Sequence, residues 1–339
     1  MEFFLDIQIP SPKEKINYRD PVFLLGSCFT EHIGEFLGDL KFTILQNPNG
    51  ITFDPVSVSN SILSYIEGKT YQEKDLFQLN GLWHSWKHHS AFDHPDRHSA
   101  MLAINESQKK AHEFLKNARW LIITLGTAFS YHLTDAVPTI DRAGTTVSAD
   151  EVANCHRAPA QWFNKHLMTI EEIRIAMERC LDQLYAFNPS VRTILTVSPV
   201  RHSRDGVVEN NRSKARLLEV VHHLVEKYER ASYFPAYELV IDVLRDYRFY
   251  DIDMVHPNYQ ATDFVLDKFC AHFVDQESNS MINEIRKIIL ARKHRPFFPE
   301  TQPHQQFMKN FLERTLELRS KYSFLNFEEE IAYFSLNKD

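Results

Sequence analysis

The stretch that decides the fold is Val22-Phe23-Leu24-Leu25-Gly26-Ser27-Cys28-Phe29-Thr30. Its apolar run reads as a buried strand, Gly-Ser-Cys interrupts it, and a helical pattern follows over residues 30–40. A serine at such a strand-to-helix turn stands on the rim of a sheet, where the first helical turn offers unpaired N–H groups to an anion. Two roles fit this position. Ser27 is either a nucleophile toward an ester or other acyl group, or an ordinary helix N-cap.

Working outward, the same alternation returns along the chain. Residues 42–45 read as a short strand and residues 55–66 as a helix, with Asp54 as cap and Pro55 at the first helical position. Residues 107–117 read as a helix and 121–125 as the clearest buried strand, running into Gly126-Thr127-Ala128. Ile173, Met177, Leu181 and Leu184 repeat at helical spacing, as do Leu217, Val221, Leu224 and Tyr228. Between them residues 193–197 form a strand that ends at Ser198-Pro199-Val200-Arg201-His202. Residues 233–235 and 239–241 read as short extended pieces, and 261–273 as a helix.

Strands alternating with helices imply an α/β fold: a parallel sheet with helices on both faces. Ligands of such sheets bind beyond the carboxyl ends of the strands, so Gly26-Ser27, Asn49-Gly50, Gly126-Thr127 and residues 198–202 are expected on one rim. Two segments interrupt the rhythm. Asn80-Gly81 between residues 77–79 and 82–86 reads as a hairpin turn, and residues 129–160 form an irregular excursion with a second hairpin, containing Asn154-Cys155-His156-Arg157. Beyond about residue 275 the pattern is helical only, with an apolar stripe at Ile282, Ile285 and Ile289 and further helices near 307–318 and 324–334. The division is a domain over 1–275 and a helical extension over 276–339, packed on the core or on a partner, with oligomers expected through these helices.

At 339 residues and a net charge of −7, with no long basic run, the chain carries no sign of a nucleic-acid partner. Its four cysteines are scattered without a C-x-x-C pair, which argues against a disulfide framework or a zinc knuckle. Met1-Glu2-Phe3-Phe4-Leu5-Asp6 lacks the pattern of a signal peptide and no stretch has the length of a membrane span, so a cytoplasmic protein is expected.

A serine nucleophile needs a base, and the base an orienter. Asp253-x-x-His256 supplies both: the carboxylate reaches the Nδ1 side of the imidazole and leaves Nε2 to take the serine proton. His202, after a strand end on the same rim, either lines the substrate site or holds Asp205; Arg201 either binds a substrate carboxylate or makes an ion pair. Trp83 and His84 look like a lid or wall suited to a sugar or acyl chain. The neighbouring His88, His89, His94 and His98 do not form a converging ligand set with His84, so no metal and no other cofactor is expected. Cys28 is a rival nucleophile, with a thiol pKa lowered by the helix terminus, but it reads better as a small buried residue.

Gly26-Ser27-Cys28-Phe29-Thr30 resembles the G-S-C-F-A signature of the GSCFA family, with Thr30 in place of the final Ala. Asn47-Pro48-Asn49-Gly50, Leu82-Trp83-His84-Ser85-Trp86, Leu125-Gly126-Thr127-Ala128, Asn154-Cys155-His156, residues 198–202, residues 244–250 and Asp253-Met254-Val255-His256-Pro257 resemble further motifs of that family, in order over roughly residues 20–260. The resemblance places the chain among SGNH (GDSL-like) hydrolases. It implies a three-layer α/β/α, flavodoxin-like fold, with Ser27 as nucleophile, His256 as base and Asp253 as its orienter. Gly50 would join Ser27 in an oxyanion hole. The third block of that superfamily offers an Asn donor that is absent from Gly126-Thr127-Ala128, leaving Thr127 or, preferably, Asn154 to replace it. The implied activity is hydrolysis of an ester on a small molecule or glycan, such as a carbohydrate O-acetyl group. The alternatives are acyl transfer by the same triad, or a non-catalytic glycan- or partner-binding protein that keeps the fold.

Overall fold

The computed structural model describes residues 5, 7–143 and 151–335. The start of the chain apart from Leu5, on which the signal-peptide reading rests, and residues 144–150 of the excursion lie outside the described residues. In chain order, β1 (Val22–Gly26), α1 (Cys28–Asp39), β2 (Ile44–Gln46) and α2 (Pro55–Glu67) lead into a hairpin of β3 (Phe77–Leu79) and β4 (Leu82–His84). Next come α3 (Arg97–Asn117), β5 (Trp120–Leu125), a second hairpin of β6 (Phe129–Leu133) and β7 (Phe163–Leu167), and α4 (Ile170–Phe187). The chain continues through β8 (Arg192–Val197), α5 (Gly206–Lys227), β9 (Ala231–Tyr233) and a short α6 (Ala236–Glu238). It ends in α7 (Tyr259–Phe273), α8 (Gln276–Lys293), α9 (Gln302–Lys321) and α10 (Glu328–Ser335).

The main sheet has five parallel strands in the order β2-β1-β5-β8-β9. Numbered among themselves, they run 2-1-3-4-5, the flavodoxin-like order. Side chains alternate across it. Val22, Leu24, Ile122 and Ile194 face one apolar layer with Ile33 and Leu37 of α1 and Phe269 of α7. Phe23, Leu25, Ile123 and Leu195 face the other, with Ile62 of α2, Leu115 of α3, Leu181 of α4 and Leu224 of α5. The fold is therefore a three-layer α/β/α sandwich, and its strand order reverses between β1 and β5, where such sheets open a crevice. At that rim Gly26 has φ +139°, and a Cβ there would lie 2.2 Å from the Thr124 carbonyl oxygen, so only glycine permits this approach of β1 to β5.

The hairpin around Asn80-Gly81 forms as read, with Leu79 paired to Leu82. Asp54 caps α2 by accepting the Ser57 N–H at 2.8 Å. Two expectations need correction. The helix expected over 107–117 begins ten residues earlier, at Arg97, capped by Asp96; its first turns carry the unbroken apolar run 100–104, which hides the helical period. Residues 239–244 form a π-helical turn instead of an extended piece; a short apolar run does not distinguish the two.

The C-terminal helices share the core of the first layer. Ile282, Ile285, Met308, Leu312 and Phe334 join the cluster that holds Leu24 and Phe269. Buried Glu330 pairs with Lys41 at 2.9 Å, fixing α10 next to the end of α1. Among the described residues no helix is long and apolar enough to cross a membrane.

Candidate functional site

Ser27 occupies the N-cap position of α1, yet its side chain makes no capping hydrogen bond. The residue is 1% exposed, and its Oγ has no hydrogen-bond partner among the described residues. A buried hydroxyl left unpaired costs on the order of 1–3 kcal/mol, so a serine serving only as a cap would be expected to donate or accept here. Ser27 is not alone. Asn47 Nδ2, Asn49 Oδ1, Thr52 Oγ1 and Thr124 Oγ1 are likewise buried and unpaired, and all lie on segments around the carboxyl end of β1. A cluster of buried, unpaired polar groups thus sits at the point where the strand order reverses.

The backbone around it is tightly tied. The Asn47 side-chain oxygen accepts the Gly26 N–H at 2.9 Å, and Thr52 N donates to Gly26 O at 3.1 Å. The Phe53 carbonyl accepts both Gly126 N and Thr127 N, so residues 52–53 bridge the ends of β1 and β5.

Asp253 and His256 come together as expected. Asp253 Oδ2 lies 2.6 Å from His256 Nδ1, and Oδ1 accepts the Val255 and His256 amides. These bonds, first that to the His256 ring, hold the Asp253 carboxyl down at about 2, so it is ionised throughout the neutral range. The pair sits on an outward loop with the two side chains 43% and 45% exposed. Arg201 fastens that loop, its N–H donating to Val255 O at 3.2 Å and its guanidinium to Met254 O. No hydrogen bond joins His256 to Ser27.

The oxyanion donors implied by the resemblance are otherwise engaged. Ser27 N–H donates to Thr124 O at 3.1 Å and Gly50 N–H to Asn47 O at 2.7 Å. The Thr127 hydroxyl is held by Ser213 at 3.1 Å and accepts the Phe129 N–H, which makes it a turn-building group. Asn154 turns its Oδ1 to the His156 N–H at 3.0 Å, on the excursion beside Trp86. Asn47, which the sequence reading passed over, brings an unpaired Nδ2 next to Gly26-Ser27. Its only sequence signal was its place in Asn47-Pro48-Asn49-Gly50.

His202 holds Asp205 at 3.0 Å, and Asp205 also pairs with Lys165. His84 is buried, its Nε2 on the Leu79 carbonyl and its Nδ1 2.9 Å from Asp93, so it does not form the open wall expected of it. Trp83 packs under the Arg97 guanidinium at 4.5 Å. Cys28 is partly buried and burial raises its thiol pKa, which goes with the preferred reading of it as a small packed residue and against the rival nucleophile. Lys214 was not anticipated at all. It is buried at the ends of β5 and β8, donating to Gly126 O and Ser198 O at 2.6 Å each, and burial lowers its pKa to about 7. A polar cleft of about 280 Å³ opens nearby, lined by Asn49, Ser61, Tyr71, Trp86 and Lys87, but Ser27 and His256 do not line it.

A family model described as GSCFA family matches residues 21–269. A second, described as GSCFA domain protein, C-terminal domain, matches residues 285–336. No curated protein shows significant similarity to the chain.

Proposed function

The chain belongs to the GSCFA family, and on that premise we propose that it is a serine hydrolase of the SGNH type that cleaves an ester. The observation that carries this is the uncapped, unpaired Ser27 hydroxyl at the β1 rim, in a chain that also orients a histidine by a short carboxylate bond. Ser27 Oγ attacks the ester carbonyl while His256 Nε2 takes its proton. Asp253 keeps the imidazole in the tautomer with Nδ1–H and steadies the imidazolium. His256 then protonates the departing alkoxide, and a water, deprotonated by the same Nε2, releases the acid and frees Ser27. Acceptance of the acyl group by another alcohol would make the same site a transferase.

The pair is exposed and His256 makes no hydrogen bond to Ser27, so their contact forms in this reading as substrate enters. Catalytic hydrogen bonds of this kind commonly form only in the complex. Asn47, whose Oδ1 holds the Gly26 N–H and whose Nδ2 is unpaired, replaces Thr127 and Asn154 as the candidate third oxyanion donor. The substrate class we propose is a small-molecule or glycan ester, an O-acetylated sugar first. Four free cysteines support a reducing compartment such as the cytoplasm.

The burial of Ser27 and the lack of a hydrogen bond between it and His256 favour one other reading, a non-catalytic glycan- or partner-binding protein. Hydrolysis of p-nitrophenyl acetate separates the two. The wild type is expected to turn over, with kcat lowered at least about 10²-fold in Ser27→Ala and His256→Ala and by 10²–10⁴-fold in Asp253→Asn. No turnover by the wild type over a range of acyl chain lengths, or equal rates in all four proteins, would leave the binding protein standing.

A further inference from the structure

Away from Ser27, three side chains from distant parts of the chain converge on one point. His84 ends β4, Asp93 follows the turn at residues 90–92, and His156 lies 72 residues beyond His84 in the excursion. His84 Nδ1 is 3.2 Å from His156 Nδ1 and 2.9 Å from Asp93 Oδ1, and His156 Nδ1 is 3.3 Å from the same oxygen. The three groups meet metal-ligand spacing together.

The outer nitrogens decide what the inner ones are. His84 Nε2 lies 3.0 Å from the Leu79 carbonyl and His156 Nε2 2.8 Å from the Ser85 carbonyl. A carbonyl only accepts, so each Nε2 carries a proton and each neutral ring turns an Nδ1 lone pair inward. Two lone pairs and a carboxylate oxygen at these separations converge on one point, the arrangement a bound cation requires. The His156 side chain is 0% exposed and that of Asp93 only 12%. Ligand bonds of 2.0–2.1 Å at tetrahedral angles set ligand atoms about 3.3 Å apart, close to the spacing here. The Nε2–carbonyl bonds are the outer-shell contacts that orient histidine ligands. Phe77 and Trp86 shield the rings, with Phe77 5.2 Å from His84 and Trp86 6.0 Å from His156.

We propose that His84 Nδ1, His156 Nδ1 and Asp93 form a binding site for a divalent transition-metal ion, Zn²⁺ by ligand type, that staples the excursion onto the first hairpin. Two imidazoles with one carboxylate suit Zn²⁺ and its first-row neighbours over Mg²⁺ or Ca²⁺. The burial makes the role structural. The metal clamps the segment whose His89 N–H donates to Asn49 O at 2.8 Å, and His89 packs so closely on Gly50 that a Cβ there would lie 2.1 Å from the His89 Cβ. The site therefore braces the Asn47–Gly50 turn without taking part in ester chemistry. The sequence reading set metal aside because the histidines near His84 do not converge; the missing ligand comes from the far side of β5.

The test is metal analysis of the untagged full chain, followed by removal of metal with a chelator and titration with Zn²⁺ or Co²⁺ alone. The expected result is close to one equivalent of transition metal per chain. Zn²⁺ should raise the melting temperature of the stripped protein, and Co²⁺ should give the visible absorption of a nitrogen- and oxygen-ligated tetrahedral site. Asp93→Asn and His156→Ala should each weaken Zn²⁺ binding at least tenfold. A wild type that retains no metal, with a melting temperature and spectrum indifferent to Zn²⁺ and Co²⁺, would overturn the proposal without reference to any variant. So would Zn²⁺ binding that both variants keep unchanged.

Discussion

A single hydroxyl carries most of the functional reading. From sequence, Ser27 at a strand-to-helix turn was equally open to capping, since serine is among the commonest N-caps. In the structure the cap position is occupied but the cap bond is not made, which supports the catalytic reading. Such a group is held against stability. Ser27→Ala is therefore expected to remove the orphan and to raise unfolding stability by about 1 kcal/mol in urea titration, while abolishing ester hydrolysis. A destabilised Ser27→Ala would mean that the hydroxyl has a structural partner. Asp253 and His256 were legible because three-residue spacing in a turn is local geometry. Asn47, Lys214 and the true setting of His84 were not, because each is defined by contacts with strands or loops far away in sequence.

At the scale of elements, the strand pattern was readable wherever apolar runs were bounded by turn residues, as in β1, β5 and β8. The start of α3 was lost because its first turns carry an unbroken apolar run, 100–104, with no helical period, and the π-helical turn at residues 239–244 was lost because its apolar run is too short to show one. Helix α5 contributes the feature with the clearest pH signature. Lys214 has a pKa of about 7 in the fold against about 10.5 when exposed, so between these values the unfolded chain binds a proton that the folded one does not. Its contribution is complete above about pH 10.5 and is lost as pH falls toward 7. A neutral amine also has two N–H groups, one for each of the Gly126 and Ser198 carbonyls. Urea midpoints at pH 7.5 and 9.5 should show the wild type gaining on Lys214→Met as pH rises. Parallel midpoints would place the Lys214 pKa near its ordinary value.

For the whole molecule, the order of strands puts Ser27 at the reversal between β1 and β5, and the alternation of side chains commits both sheet faces to helices. The helical extension was legible as helices packed on the core or on a partner, but not which of the two, because an amphipathic stripe does not name its partner. The structure gives the partner as the sheet face under α1 and α7. A chain ending at residue 275 is accordingly expected to bind a hydrophobic dye and to lose a sharp melting transition; melting as cooperative as that of the full chain would show the extension to be dispensable. The central claim, that Ser27 is an activated nucleophile served by His256, is tested most directly by labelling the full chain with a fluorophosphonate and mapping the modified residue. A single adduct on Ser27, lost in His256→Ala, is the expected result; no adduct, or one on Cys28 or another residue with Ser27 untouched, would contradict it.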